Sequence, residues 1–303
     1  DTFISTMAQN LERLAQEAES TGDLKITLLI SDSRHNQTTQ MDQVDRFLAR
    51  GCDILFVNMV DRTGAAVIVD KAEAEGVPVV FFNRQPVDED IRRWENSFYV
   101  GASALESGTL QGKLVLNAWL QDRSRWDRSG DGVLQYVMLE GEPGHQDSLL
   151  RTEYCLKALT DGGVEVERLD RDTANWNRSQ AAARMGHWLE EFGGQIEAVF
   201  SNNDDMALGA IDALSETDLP LEDWPLIVGV DATAPALEAV AAGQLYGTVL
   251  NDSRGQAQAM LDLAQALYRG EDPAQAVELE DGHYVWLPYE LVTQENLSSL
   301  PES

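Results

Sequence analysis

Gly76-Val77-Pro78-Val79-Val80-Phe81-Phe82-Asn83 sets a helix stop, an unbroken apolar run and a polar end side by side. Val79-Val80-Phe81-Phe82 shows no alternation, so it reads as a strand covered on both faces, as in a parallel sheet. Gly76 and Pro78 close the stretch before it, where Asp61 to Glu75 is expected to form a helix. Upstream, Lys25-Ile26-Thr27-Leu28-Leu29-Ile30 and Asp53-Ile54-Leu55-Phe56-Val57-Asn58 repeat the strand pattern. Between them, Gln40 to Arg50 places Met41, Val44, Phe47 and Leu48 on one helical face.

The second half keeps the same rhythm. Strands are expected over Leu134–Leu139, Ala198–Ser201 and Leu226–Val230. Helices are expected near Asp147–Leu159, Arg178–Glu191, Asp205–Leu214 and Pro235–Ala242. Strand–helix alternation in two blocks implies an α/β chain with two doubly wound domains, each built on a parallel sheet. The first block opens with a helix, Asp1 to Glu19, where a strand is expected, so a first strand is missing from the chain.

Composition narrows the function. The 303 residues are 43% hydrophobic, enough for two ordinary cores. No run of 18 apolar residues exists to span a membrane as a helix. The formal charge of −30, from 52 acidic and 22 basic residues, repels phosphate backbones and makes nucleic acid a poor partner. An acidic coat keeps a chain soluble; a second reading is adaptation to high salt, where self-repulsion is screened. Cys52 and Cys155 sit in apolar surroundings and read as two buried thiols rather than one disulfide. No CxxC or HxxxH spacing supports a transition metal. The chain starts at Asp1 without a charged-then-apolar leader, which is compatible with a removed signal peptide.

In open α/β sheets ligands sit at the carboxyl ends of strands. Polar residues gather at those ends here: Asn83, the run Asn202-Asn203-Asp204-Asp205, Asp231, and Asn251-Asp252. Each suits a helix cap on its own, whereas four at equivalent ends point to a shared cleft. A separate stretch, Asp127-Arg128-Ser129-Gly130-Asp131-Gly132-Val133-Leu134-Gln135, places oxygen donors at loop positions 1, 3, 5 and 9 with glycine at 6. That is the opening of a calcium loop. The twelfth position is Met138, where a bidentate Glu is required. The loop alone supplies about five oxygens, with the Val133 carbonyl, against roughly six to eight for calcium. A plain turn and a calcium loop completed by a distant carboxylate both remain open at this point.

Several runs together resemble a known family: Val77 to Asn83, Gly141-Glu142-Pro143-Gly144-His145, Asn202-Asn203-Asp204, Gly229-Val230-Asp231, and Gly247-Thr248-Val249-Leu250-Asn251-Asp252. They resemble, in order and over essentially the whole chain, the periplasmic galactose/glucose-binding proteins of bacterial sugar uptake and chemotaxis. The resemblance implies the periplasmic binding protein-like fold and a set of sugar contacts. Asp1, Phe3 (a stacking ring) and Asn83 would come from the first domain. His145, Asp147, Arg151, Asn203 and Asp231 would come from the second, with Trp176 as the opposing ring and Asn251 beside a crossover. The chemistry suits a pyranose, since acids and amides take paired hydrogen bonds from vicinal hydroxyls and rings cover the C–H faces. Asp147 and Arg151 fall on one helix face; without the resemblance they read as a surface ion pair. The resemblance also implies Glu197 as the ligand completing a structural calcium site with Asp127, Ser129, Asp131, Val133 and Gln135. Ser129 stands where an amide is commoner. The family's first strand has no counterpart here, and the expectation is a longer protein that carries it.

The implied division is 1–101 plus 254–286 for one domain and 102–253 plus 287–303 for the other. Sugar captured between the two would drive hinge closure, read by an ABC permease and a chemoreceptor, with the protein monomeric and periplasmic. No catalytic set competes: His145 has Asp147 nearby and no nucleophile, and the paired acids of a glycosidase reading are here mixed with amides. The rivals are a receptor for ribose, another pentose or a furanose, and the sensor domain of a sugar-responsive repressor without its DNA-binding part.

Overall fold

The computed structural model describes residues 2–22 and 24–300. The chain divides into two compact units. Unit 2 comprises Ile4–Ala102 and Asp252–Leu287; unit 1 comprises Ser103–Asn251 and Pro288–Ser303 with the first three residues. The chain therefore changes unit after Ala102, Asn251 and Leu287, as well as after Phe3.

In chain order, the first stretch gives α1 (Thr2–Thr21), α2 (Gln37–Ala49), β1 (Leu55–Val57), α3 (Ala65–Glu75), β2 (Val79–Phe82), α4 (Asp88–Ile91) and β3 (Ser97–Ala102). Unit 1 continues with α5 (Ala104–Gln121), α6 (Arg123–Trp126), β4 (Val133–Glu140), α7 (Gln146–Asp161), β5 (Glu165–Thr173), α8 (Arg178–Phe192), β6 (Ala198–Ser201), α9 (Asp204–Ser215), β7 (Leu226–Val228), α10 (Ala234–Ala241) and β8 (Gly247–Asn251). Then come α11 (Ser253–Arg269), β9 (Tyr284–Leu287) and β10 (Tyr289–Thr293).

The sheet of unit 2 has the order β1-β2-β3-β9 and is parallel throughout. Ile68, Val79, Phe81 and Tyr99 pack its core between sheet and helices. α3 stops at Gly76, whose φ of 67° closes a left-handed cap that a side chain would strain. The strand expected over Lys25–Ile30 does not form: residues 24–33 carry no strand, and Leu29 and Ile30 are exposed. The physical reason is pairing. Among the described residues β1 hydrogen-bonds only to β2 and its other edge stays unpaired, so the Lys25–Ile30 run joins neither edge of the sheet and its backbone has no ladder partner.

The sheet of unit 1 runs β10-β8-β7-β6-β4-β5. It departs from the expected all-parallel arrangement at one edge, where β10 is antiparallel to β8 with Tyr289 opposite Asn251. Trp188, Leu139, Val199 and Met206 lie in its core. α5 lies close against α7 because Gly108 and Gly112 present bare backbone. An added Cβ would stand 2.8 Å from Arg151 Cα at Gly108 and 2.2 Å from the Cys155 carbonyl at Gly112. That closeness fixes the height of α7, and with it Arg151. Both cysteines are free thiols; Cys155 is buried, but Cys52, expected buried, is only half-buried.

Candidate functional site

Within unit 1, the carboxyl ends of β4, β6 and β8 and the amino ends of α7 and α9 bring the polar residues together. Arg151 lies one turn into α7, with its side chain 5% exposed. Its Nε donates to Ser107 Oγ at 3.1 Å, Nη1 to the Asn202 carbonyl at 2.8 Å, and Nη2 to Asp147 Oδ2 at 3.2 Å and Tyr289 Oη at 3.3 Å. Asp231 Oδ1 stands 3.9 Å from Nη1. The pair expected from sequence is therefore not a surface bridge: it is the start of a buried fork holding two acids. Burial pulls the guanidinium towards neutrality, but Tyr289, Asp147 and Asp231 more than offset this and raise its pKa.

Asp231 follows β7 with a φ of 120°, and Ala232 follows at 54°. Left-handed backbone at a non-glycine residue is strained and collects at functional sites. Asn251 Nδ2 donates to Asp231 Oδ1 at 3.3 Å. Burial raises the Asp231 pKa against the lowering pull of Arg151. Asn203 caps α9, its side-chain oxygen accepting from Met206 N at 3.0 Å, so the capping reading holds for that oxygen.

Trp176 also sits at positive φ, 60°, where a bulky residue is rare. Its indole lies edge-on to the His145 ring, with centroids 5.1 Å apart. It is flat against Gly141, where an added Cβ would stand 2.1 Å from the ring. His145 caps α7 by accepting from Asp147 N at Nδ1, 3.1 Å. That bond places the ring proton on Nε2 in the neutral form.

In unit 2, taken by itself, Asn83 follows β2 with a φ of 59°. Tyr99 Oη donates to its carbonyl at 2.9 Å, and its own amide donates to Asn58 Oδ1 at 3.3 Å. Phe3 is buried in the first turn of α1 and groups with unit 1 rather than with the first domain. Asp1 lies outside the described residues.

Sequence reasoning missed Ser107, Tyr289 and Tyr99 altogether, and it saw Asn202 only as one of a polar run. Asn202 Oδ1 accepts from Gly141 N at 2.9 Å and Ser148 Oγ at 3.0 Å, tying the His145 loop to α7. The signal available was its place at a strand end; its complete burial was not legible.

The Asp127–Gln135 loop and Glu197 are also together. Ser129 Oγ lies 3.4 Å from Asp127 Oδ1 and 3.5 Å from Gln135 Oε1. Glu197 accepts from the backbone of Arg128 (2.6 Å), Ser129 (3.1 Å) and Gln135 (3.0 Å). Arg123 holds Asp127 at 3.1 Å. Among the described residues, no group of three or more His, Cys, Asp or Glu could by itself hold a metal ion. The donors here are mixed: hydroxyl, amide and carbonyl oxygens besides acids. Oxygen-only chemistry and close O···O separations fit a hard cation such as calcium.

The model of the periplasmic binding protein domain matches residues 1–272. The chain belongs to the periplasmic binding protein family. This periplasmic binding protein is 38% identical, over 98% of its length and 87% of the relative's, to the D-galactose/methyl-galactoside binding periplasmic protein MglB of Haemophilus influenzae. It is 33% identical to a putative rhizopine-binding protein of Rhizobium meliloti, over 98% of this chain and 88% of that one. Among solved structures, an ABC transporter solute binding protein from Bacillus halodurans with bound myo-inositol is similar at a TM-score of 0.79 and 31% identity, covering 99% and 93% of the two chains. Membership makes this periplasmic protein a binding protein rather than an enzyme.

Proposed function

We propose that this periplasmic binding protein captures a hexopyranose, d-glucose or d-galactose, and presents it to an ABC permease. The observation that carries the reading is the buried Arg151 fork with Asp147 and Asp231 on either side, joined through the His145 cap on Asp147 N to a Trp176 indole held edge-on to His145 in strained backbone. Charged acceptors and a planar donor suit adjacent hydroxyls, and the indole suits the C–H face of a pyranose. The 38% identity to the Haemophilus galactose-binding protein supports the same ligand class. Asp1, Phe3, Asn83, His145, Asn203 and Asn251 complete the proposed contact set, and delivery to a chemoreceptor as well rests on the family resemblance alone.

A second reading, a cyclitol, draws on the Bacillus neighbour with bound myo-inositol. An inositol shares the ring of hydroxyls and lacks the ring oxygen. Calorimetry against galactose, glucose, ribose and myo-inositol separates the readings. Micromolar or tighter heat for a hexose, lost in Arg151→Ala, supports the first. Selective heat for inositol installs the second.

The loop from Asp127 to Gln135, with Glu197, is proposed to hold one structural calcium, which supplies a bridge across the turn before β4. Calorimetry with calcium on chelator-treated protein should show one site, weakened in Asp131→Asn. No heat and no change in melting temperature would remove calcium from the account.

A further inference from the structure

Asp204 is fully buried and is the first residue of α9, immediately after the cap Asn203. Its backbone N–H donates to the Val230 carbonyl at 2.8 Å. Its Oδ2 accepts from Thr233 N at 2.8 Å and from Thr233 Oγ1 at 3.4 Å, while Oδ1 accepts from Thr248 Oγ1 at 2.7 Å. One residue thus grips both ends of the turn 230–233, and β8 beside it. Inside that grip lie the two left-handed residues, Asp231 and Ala232. Strain of this kind persists only where the surroundings over-determine it.

Gly229 belongs to the same arrangement. Its φ is not positive, so conformational freedom is not the reason for glycine. An added Cβ would stand 2.2 Å from Asp204 Oδ1. The Gly229-Val230-Asp231 run therefore leaves room for a carboxylate supplied by the Asn202-Asn203-Asp204 run.

We propose that Asp204 is a positioning residue: it holds the strained turn 230–233 so that the Asp231 carboxylate faces Arg151 and Asn251, without itself touching sugar. This rests on Asp231 being a sugar contact, as proposed above.

The test is calorimetry with d-galactose and d-glucose on the whole chain, with a thermal melt of each variant. Asp204→Asn can still accept from Thr233 N and can donate to the Thr248 hydroxyl, so affinity stays within about threefold. Asp204→Ala leaves the turn ungripped, and affinity falls roughly tenfold to a hundredfold, the range expected when a buried hydrogen-bond partner is removed. In an Asp231→Asn background, Asp204→Ala costs no further affinity, because its effect runs through Asp231. A merely structural residue would add its loss in both backgrounds. Should Asp204→Ala not fold, Gly229→Ala displaces the carboxylate while keeping it, and affinity again falls. Wild-type affinity in Asp204→Ala or Gly229→Ala, or an additive loss beside Asp231→Asn, overturns the inference. Arg151→Ala is the control: if it too binds normally, the sugar reading fails instead.

Discussion

Replacing Arg151 by alanine removes four hydrogen bonds and the only cation facing Asp231 among the described residues. The two acids left behind are not equivalent. The Asp147 side chain is 17% exposed and can be rehydrated, whereas that of Asp231 is 6% exposed and cannot. Breaking a buried pair by deleting one partner costs about 3–5 kcal/mol. Rehydration of Asp147 places the expected loss near the lower bound, about 3 kcal/mol, once Asp231 is ionised. Burial raises the Asp231 pKa to about 8, and losing the lowering pull of Arg151 raises it further. Below that pH Asp231 is largely neutral in both proteins and the loss is smaller; it grows as pH rises through that value. The assay is denaturant unfolding of both proteins at mildly acidic and mildly alkaline pH, in parallel with calorimetry. A loss under about 1 kcal/mol that does not change with pH, with galactose still bound, would refute this.

Other outcomes follow from the same geometry. Gly112→Val sets new carbon against the Cys155 carbonyl and the Ala158 side chain, so α5 and α7 must separate. The cost is about 1–3 kcal/mol, and sugar affinity drops with the displaced Arg151; an unchanged melting temperature contradicts this. Burial pushes the Cys155 thiol above the usual range, so a native chain takes up one equivalent of iodoacetamide, at half-buried Cys52. Two equivalents without denaturant would refute that. Stability should also peak between acid and neutral pH. Asp88, held by the Tyr284 hydroxyl, and Asp131, held by the Val133 amide, have lowered pKa values. Their contribution is present above about pH 4 and is lost as pH falls through the lowered values. Asp231 and Asp204 are raised by burial, so their contribution is present at low pH and lost as pH rises. Denaturant midpoints from pH 2 to 8 check this, and Asp88→Asn should flatten the acid limb.

Much of the fold was legible because strands buried on both faces leave unbroken apolar runs. Val79–Phe82 and Ala198–Ser201 were such runs, and both are strands. β5 was not legible: it is a sheet edge whose faces are largely exposed, so Glu165–Thr173 reads as a polar connection. Lys25–Ile30 failed in the opposite sense. Its composition is that of a strand, but a strand is a property of a pair, and no partner stands beside it. The site followed the same division. Polar residues after strands were visible in order, and Asn83, Asn203, Asp231 and Asn251 do sit at those ends. The grip of Asp204 on residues 230–233, the Tyr289 hydroxyl on Arg151, and the strained backbone at Trp176 arise from tertiary packing. No local pattern encodes them.

Arg151, its two acids and the Trp176 indole are proposed to hold the sugar ring, and a crystal structure grown with d-galactose is the test. Sugar hydroxyls are expected within hydrogen-bond distance, about 2.7–3.2 Å, of Arg151 and Asp231, with a C–H face laid on the indole. Galactose bound elsewhere on the protein, with those side chains in contact only with water, would contradict it.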